Sequence, residues 1–254
     1  MARHQNIKLN KGLGQHFLKD EIVLHKIYDA IKEYAVDLPI LEVGPGGGSL
    51  TKLLENKEQF KVVEFDNRWA NLLAEKYPKL EIINQDFLEL DLESVFENNY
   101  AVVGNFPYNI SSQIVFHIID HKDKVPVMVG MFQKEVAKRI CSNEGTKDNG
   151  ILSILTQLYY DTEYLFDVPR EAFNPPPKVV SGVMAMKRKT DNFEVDFILL
   201  KKVVKMAFNQ RRKTLRNSLK PLIKNDEIKE LEILNLRPEQ LGVAGFVNLV
   251  NILM

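Results

Sequence analysis

The residues whose types and spacing could do chemistry are Asn105, Phe106, Pro107 and Tyr108, which follow the apolar run 100–103. The Asn105 side-chain oxygen and the Phe106 carbonyl are two acceptors that can take both hydrogens of an exocyclic base amine. The amine lone pair would then point at an incoming methyl group. Pro107 restricts Phe106 to extended conformations and so fixes the direction of its carbonyl. Tyr108 offers a ring on which the base can stack. Taken alone, the tetrad is equally compatible with a polar turn.

Groups suited to a nucleoside cofactor precede the tetrad, each at the end of an earlier apolar run. Gly44 and Gly46 lie in the glycine-rich turn 42–48, where the backbone can approach a ligand closely. Glu64 lies at the end of the second run and is placed to accept hydrogen bonds from a ribose diol, although an ordinary strand-end carboxylate would look the same. Asp86 can accept from a cofactor adenine amine while Phe87 packs near its ring. The competing interpretation of Asp86 is a cap or turn residue.

The order of these groups is more specific than any one of them. A glycine loop alone also occurs in nicotinamide and flavin enzymes. A dehydrogenase, in contrast, has no use for an Asn-Phe-Pro-Tyr tetrad at the fourth position. The ordered set of loop, ribose acid, adenine acid and amine clamp therefore predicts S-adenosylmethionine as the cofactor.

The elements that must position these groups follow an alternating pattern. Apolar runs typical of strands alternate with helical patterns, which predicts a parallel sheet with helices on both faces and a late hairpin that makes the last strand antiparallel. The predicted strands are 40–43, 60–65, 80–83, 100–103, 125–131, 163–168 and 182–186. The predicted helices within this region are 21–35 with Asp20 as cap, 50–56, 69–76, 111–119, 134–140 and 151–160.

After residue 190 the pattern becomes entirely helical, with helices predicted at 195–208, 214–219, 227–233 and 246–253. This change predicts two domains, a catalytic domain over 1–188 and a small helical domain over 189–254. The first nineteen residues are predicted to form an irregular arm.

Charged residues are unevenly distributed along the chain. The net charge is zero, yet the segment 201–220 contains no acidic residue. Arg211, Arg212, Lys213 and Arg216 are the densest part of that segment, and clustered cations of this kind bind a phosphate backbone. The alternative interpretation is a solvated helix face.

Composition narrows the class further. The chain has 254 residues, is 45% hydrophobic and holds one cysteine, Cys141, which excludes disulfides and thiolate metal sites; no metal site is predicted. No apolar stretch approaches the ~20 residues needed to span a membrane. These features predict a soluble cytoplasmic protein.

The chain closely resembles the KsgA-type ribosomal RNA adenine dimethyltransferases, relatives of the resistance methyltransferases that modify large-subunit RNA. The resemblance covers nearly the whole chain and is carried by Gly14-Gln15-His16-Phe17-Leu18, 42–51, Asp86, 105–111, 133–136, 173–179 and 208–220. It implies a Rossmann-like class I methyltransferase fold with a mostly parallel seven-stranded sheet and a small all-α C-terminal domain.

The resemblance also implies roles for individual residues. Gln15, His16 and Leu18 would cover the cofactor, and Asn105 would lie beside it. Tyr108 and Phe173 would hold the target base, and the Pro-rich segment after Phe173 suits a rigid second face; a plain core phenylalanine is the alternative. Two positions depart from the commonest family pattern: His16 stands where many members have asparagine, and Phe106 where leucine is commonest. A histidine without a ligand role is the alternative for His16.

The activity that the resemblance implies is dimethylation of the N6 amines of two adjacent adenosines near the 3′ end of small-subunit ribosomal RNA, within the assembling small subunit, by a monomer. The nearest rival is a large-subunit RNA methyltransferase that confers antibiotic resistance. A DNA adenine methyltransferase commonly has Asp at the first tetrad position and lacks the basic helical tail. A non-catalytic assembly or transcription factor would have little reason to keep the tetrad and Glu64.

Overall fold

The computed structural model describes residues 16–191 and 193–253. These residues divide into two compact units. Of the described residues, the first unit contains 16–137 and Glu163–Arg188, and the second contains Lys138–Thr162, 189–191 and 193–253.

The first unit is built around a mixed sheet that contains seven strands among the described residues. Its strands are β2 (Ile40–Val43), β3 (Phe60–Val63), β4 (Glu81–Ile83), β5 (Ala101–Asn105), β6 (Val127–Gln133), β7 (Tyr160–Val168, whose first three residues belong to the second unit) and β9 (Ser181–Arg188). They are ordered β4-β3-β2-β5-β6-β9-β7. The four pairings from β4 to β6 are parallel, and β9 runs antiparallel to β6. The predicted α/β class with a mostly parallel sheet and a late antiparallel strand is confirmed.

The central strands β2 and β5 are mainly apolar because both faces of the sheet are covered there. All four residues of β2 are buried, as are the first four residues of β5. Strands that are buried on both faces appear in a sequence as continuous apolar runs without alternation. The sequence pattern could therefore locate these strands.

Helices of the first unit are α1 (Glu21–Tyr34), α2 (Thr51–Leu54), α3 (Asn67–Lys76), α4 (Ser111–Asp120) and α5 (Lys134–Ile140), which continues into the second unit. Asp20 begins α1 as predicted, because its side chain accepts hydrogen bonds from the Ile22 and Val23 main-chain nitrogens at 2.9 and 3.1 Å. These bonds satisfy two of the helix's otherwise unpaired donors.

A short two-stranded ladder lies outside the main sheet. Strand β1 (Phe17–Leu18) pairs antiparallel with β8 (Phe173–Asn174). The sequence analysis predicted an irregular arm over the first nineteen residues, whereas Phe17 and Leu18 are held in this ladder. Two-residue strands carry no periodicity, so no sequence pattern indicates them.

The second unit is mainly helical. Its longer helices are α6 (Ile151–Gln157), α7 (Phe197–Asn209) and α10 (Val243–Leu253), and the short helices α8 (Leu215–Ser218) and α9 (Asp226–Lys229) lie between α7 and α10. Both α7 and α10 contact α6, so Lys138–Thr162 groups with the C-terminal helices. The sequence analysis had placed this segment in the catalytic domain. Among the described residues, no helix is long and apolar enough to cross a membrane.

Candidate active site

A cavity of about 240 Å³ lies in the first unit, at the carboxyl edge of the parallel strands. Its walls come from the segments that follow β2, β3, β4 and β5, and from the segment around β1. The predicted site residues that line it are His16, Leu18, Gly44, Gly46, Glu64, Asp86, Phe87, Asn105, Phe106, Pro107 and Tyr108. Gln15 lies outside the described residues. The carboxyl ends of neighbouring parallel strands meet at one edge, which is why side chains far apart in sequence converge here.

The glycine turn after β2 has a backbone that only glycine adopts readily. Gly44 and Gly46 have φ values of 66° and 51°. A Cβ atom built on Gly46 would lie 2.4 Å from Cε1 of Phe17, so a side chain there would displace the β1 segment. The turn can therefore bring main-chain groups close to a ligand, with Phe17 packed against it.

Glu64 is a buried carboxylate that the main chain holds in place. It is 7% exposed; Oε2 accepts from the Gly46 nitrogen at 3.0 Å and Oε1 from the Asp66 nitrogen at 2.9 Å. Burial raises the pKa of Glu64, and the two main-chain donors act in the opposite direction. Each oxygen has a second lone pair, so the carboxylate can still accept from a ligand hydroxyl.

Asp86 and Phe87 lie beyond β4. Asp86 Oδ1 accepts from the Leu88 nitrogen at 2.9 Å and caps a short 3₁₀ turn, so the capping interpretation is correct for this oxygen. Phe87 is buried, and its ring meets the edge of the His117 imidazole with centroids 5.2 Å apart. His117 Nε2 donates in turn to the Leu90 carbonyl at 3.0 Å. Phe87 thus has a fixed orientation at the cavity wall.

Asn105 ends β5 with a defined amide orientation. Its Nδ2 donates to the main-chain carbonyl of His16 at 3.0 Å. A carbonyl only accepts, so this contact identifies the nitrogen side of the amide and directs Oδ1 away from His16. The Phe106 nitrogen donates to the Met131 carbonyl at 3.1 Å, which fixes the backbone just before the Phe106 carbonyl.

The Phe106 ring is fully buried and lies against two glycines. A Cβ atom on Gly130 would lie 1.9 Å from Phe106 Cε2, and one on Gly104 would lie 3.4 Å from Cε1. The two glycines face each other in the β5–β6 register. The ring also packs on Phe132 with centroids 4.9 Å apart. The aromatic side chain at this position thus fills space that the neighbouring glycines leave open.

Tyr108 is oriented by two contacts. Its hydroxyl lies 2.5 Å from Oγ of the buried Ser181. Its ring is stacked on the His16 imidazole, with centroids 5.9 Å apart and an interplanar angle of 27°. Burial raises the pKa of Tyr108, so the phenol stays neutral at physiological pH. The contact with Ser181 was not predicted, because it depends on the register of β9.

Phe173 is not brought to the cavity. It is 1% exposed and belongs to the hydrophobic core of the first unit, opposite Leu18 in the β1–β8 register. In β8 the side chain of Phe173 is buried and that of Asn174 is exposed. The structure therefore favours the core interpretation of Phe173 over a second face for the target base.

The sequence pattern that describes the ribosomal RNA adenine dimethylase family matches residues 6–253. The chain belongs to this family.

Individual relatives agree with that assignment. The chain is 51% identical over 248 residues to ribosomal RNA small subunit methyltransferase A of Flavobacterium johnsoniae, covering 96% of this chain and 95% of the relative. Among solved structures it is similar to a dimethyladenosine transferase from Plasmodium falciparum, with a TM-score of 0.77 and 27% identity over 92% of this chain and 96% of that one. It is also similar to the 23S rRNA methyltransferase ErmE, with a TM-score of 0.68 and 26% identity over 92% of this chain and 99% of that one.

Two cavity residues were not predicted from sequence. Glu42 is 2% exposed, and Thr51 Oγ1 donates to its Oε2 at 2.7 Å. Burial, and then the charge of Glu64, raise the pKa of Glu42 to about 8. The sequence feature that could have identified Glu42 is its position as an acid inside the apolar run of β2. Phe65 lines the same cavity and is 58% exposed, which is unusual for a large apolar side chain in this protein.

The predicted phosphate-binding residues of the second unit fall into two kinds. Arg211 and Arg216 are engaged within the unit: Arg211 donates to the Lys147 carbonyl, and Arg216 Nη2 donates to Asn235 Oδ1 at 2.9 Å. Arg212 and Lys213 are exposed in the turn between α7 and α8 and have no ion pair or hydrogen-bonded side-chain partner among the described residues. A turn, and not a helix face, presents these two charges.

Proposed function

We propose that this protein transfers methyl groups from S-adenosylmethionine to the N6 amines of two adjacent adenosines near the 3′ end of small-subunit ribosomal RNA. The observation that supports this most directly is the arrangement of one cavity, in which the Asn105 amide and the Phe106 carbonyl stand beside the buried acid Glu64 and the acid Asp86. The same cavity therefore contains acceptors suited to a base amine and acceptors suited to a nucleoside.

S-adenosylmethionine fits the donor set of this cavity. Glu64, fixed by two main-chain donors, would hold the ribose diol. Asp86, with Phe65 and Phe87 nearby, would hold the adenine, and the turn at Gly44 and Gly46 would take the methionine portion. When bound, the cofactor supplies an electrophilic methyl group on a sulfonium.

The protein's own contribution is alignment of the target amine and exclusion of water. Asn105 Oδ1 and the Phe106 carbonyl would accept the two amine hydrogens, so that the nitrogen lone pair faces the methyl donor. A methylated amine is acidic enough to lose its proton afterwards, and a neutral amide therefore suffices where a strong base would otherwise be needed. After the first transfer one hydrogen remains, so one acceptor position must tolerate a methyl group.

The choice of RNA rests on the relatives. The 51% identical relative from Flavobacterium johnsoniae is named for the small subunit, whereas the 23S rRNA methyltransferase ErmE is 26% identical. The basic turn with Arg212 and Lys213 would contact the RNA backbone. We further propose that the partner is the assembling small ribosomal subunit in the cytoplasm, and that the enzyme acts as a monomer.

The direct test uses ribosomal subunits from a strain in which the gene is deleted. The purified protein, given labelled S-adenosylmethionine, should label the small subunits and leave the large subunits unlabelled. Mass spectrometry of the RNA should then find dimethyladenosine at two adjacent positions. Label in large-subunit RNA would instead support the resistance-type activity. The absence of label from both would support a non-catalytic assembly role.

A further inference from the structure

The turn 86–90 carries two of the residues proposed to hold the adenine of the cofactor, Asp86 and Phe87. It is a single 3₁₀ turn, in which the Leu90 nitrogen donates to the Phe87 carbonyl at 3.3 Å. Short 3₁₀ turns have poorer hydrogen-bond geometry than α-helices. Asp86 Oδ1 is bound to the Leu88 nitrogen within the same turn, so a shift of the turn moves the carboxylate with it. The side chains that pack behind the turn therefore determine where the Asp86 acceptor lies.

The side chain of His117, on helix α4, packs behind this turn. Its Nε2 donates to the Leu90 carbonyl at 3.0 Å, and its ring lies edge-to-face against the Phe87 ring, with centroids 5.2 Å apart and an interplanar angle of 86°. Phe87 and Leu90 are both buried, and one imidazole thus contacts the turn at two points. His117 is not among the described residues that line the cavity, so it can act on a ligand only through the turn.

Helix α4 in turn restricts the His117 ring. One helical turn further on, the His121 ring packs against it with centroids 4.7 Å apart, and His121 Nδ1 donates to the His117 main-chain carbonyl at 2.9 Å. The Leu90 carbonyl only accepts, so the hydrogen of the neutral His117 imidazole is on Nε2. Burial lowers the pKa of His117, and the neutral form therefore prevails near pH 7. The imidazole presents one fixed donor to the turn.

We propose that His117 is a positioning residue for adenine recognition: it holds the turn so that Asp86 Oδ2 can accept from the adenine amine of the cofactor. This inference rests on the proposed function. The hydrogen bond sets the position of Leu90, and the ring sets the orientation of Phe87. Glu64 is held by other main-chain donors, so loss of the histidine should displace the acceptor for adenine and leave the acceptor for ribose in place.

Two analogues of the cofactor distinguish this role from a general effect on the fold. S-adenosylhomocysteine offers Asp86 an amine hydrogen, whereas S-inosylhomocysteine has a carbonyl oxygen at the same position, which would face the carboxylate. A site built to hydrogen-bond one group rejects an analogue that lacks it. Wild type should therefore bind the adenine compound at least about tenfold more tightly, the size of one hydrogen bond to a charged group. Neither compound carries the methyl group, so no transfer takes place.

The experiment measures the Kd of both compounds by calorimetry without RNA, for wild type, His117→Ala and His117→Gln. His117→Ala should lose most of the preference for adenine, a fall of about tenfold. The amide nitrogen of glutamine is as many bonds from Cα as Nε2 of histidine. His117→Gln can therefore keep the bond to Leu90, and its preference should stay within about threefold of wild type. His25→Ala, which removes an exposed histidine from α1, is the matched control and should keep the wild-type preference.

The preference is a ratio of two Kd values, so a smaller folded fraction in one variant does not alter it. An unchanged ratio in His117→Ala would overturn the inference, because the turn would then keep its place without the histidine. A His117→Gln variant no better than His117→Ala would also overturn it, as would a wild-type protein that binds the two compounds equally. Failure of the wild-type protein to bind S-adenosylhomocysteine at all would instead refute the proposed function.

Discussion

Asn105 is the residue on which the proposed chemistry depends most. Its nitrogen is committed to the His16 carbonyl, so the oxygen is the part of the amide that can meet a target amine. Under the proposed function, the acid Glu64 and the amide Asn105 would have separate tasks in one cavity: the first would accept from a ribose, and the second would be a neutral acceptor for a base. This separation explains why the tetrad begins with an amide although acids are available nearby.

Asn105→Ala should reduce methylation by about 10²–10³-fold, the usual loss when one preorganised polar group is removed from a reacting centre. The Kd for S-adenosylmethionine should stay within about tenfold, because at most one neutral hydrogen bond to the cofactor is lost. Single-turnover methyl transfer and calorimetry measure the two quantities. Asn71→Ala, an exposed asparagine on α3, is the control. Near-normal turnover of Asn105→Ala would contradict the role assigned here.

Glu42 makes stability depend on pH in a predictable direction. Its pKa is 4.5 in the reference state and about 8 when buried, so the folded protein binds more protons between these values. Its contribution to stability is therefore fully present below about pH 4.5 and is lost as the pH rises through about 8. Glu42→Gln should remove this dependence. The Tm of the variant minus the Tm of wild type, both measured without cofactor, should therefore increase from pH 5 to pH 8.

The control for this measurement is Glu58→Gln, which replaces an exposed acid of the same unit. Its Tm should follow the wild-type profile across the same range. Parallel profiles for Glu42→Gln and wild type would show that Glu42 does not take up a proton on folding.

The sequence could indicate those site residues that stand at strand ends. Glu64, Asp86 and Asn105 each follow a recognisable apolar run, and a parallel sheet brings such positions together. Contacts set by long-range register carry no such signal. Tyr108 meets Ser181 only because β9 returns antiparallel beside β6, and Phe173 enters the core only because β8 pairs with β1.

At the scale of elements, the β5–β6 pair shows how packing supports the clamp. Gly104 and Gly130 lie opposite each other, and the Phe106 ring occupies the space above them. A bulky ring at the second tetrad position therefore requires a glycine on the neighbouring strand. A leucine at this position is smaller than phenylalanine and would relax this requirement.

Gly130→Ala should destabilise the protein by about 1–3 kcal/mol, because the new methyl group would overlap the Phe106 ring. Combining it with Phe106→Leu should give a smaller loss than the sum of the two single changes, with a coupling of at least about 0.5 kcal/mol. Chemical denaturation of the four proteins measures the cycle. Strict additivity would show that the ring and the glycine do not depend on each other.

Charge belongs to the scale of the whole molecule, because the chain is neutral overall and yet has a segment of twenty residues without an acid. Within that segment, the structure separates charges that hold the second unit together from charges that face solvent. Arg216 bonds to Asn235 and the Lys229 carbonyl, whereas Arg212 and Lys213 are exposed in a turn. Basic residues that look alike in the sequence of this segment thus differ in the structure: some stabilise the second unit and others face solvent.

Replacing both Arg212 and Lys213 with alanine should weaken RNA binding and reduce the slope of log K against log salt by about 1.5, since each lost phosphate contact removes roughly 0.7–0.9. Thermal stability should be unchanged. Arg216→Ala is the informative comparison: it should lower Tm through its lost contacts within the second unit. Binding titrations at several salt concentrations test this, and an unchanged slope in the double variant would argue against backbone contact by the turn.

The assignment of segments to the two units was the feature of the fold that was hardest to predict from the sequence. Residue 188 separates an alternating pattern from a helical one, and the units also part there. Within the segment Lys138–Thr162 the sequence predicts one more helix of the alternation, 151–160, but α6 packs on α7 and α10. Local periodicity predicts which elements form, and it contains no information about which partner buries a given helix.

The two-residue ladder between β1 and β8 has a consequence for the timing of the proposed reaction. Each adenosine receives two methyl groups, so spent cofactor must be exchanged between transfers. The Phe17 ring lies over the turn at Gly46 and packs on Trp69. The strand that carries it pairs with β8 over two residues, and the Lys19 and Asp20 nitrogens donate to the Ala172 carbonyl beside the ladder. So small a ladder can open by local fluctuation while the large sheet stays intact. Exchange of the cofactor at this edge would then need only a local opening of the β1 segment and no global unfolding.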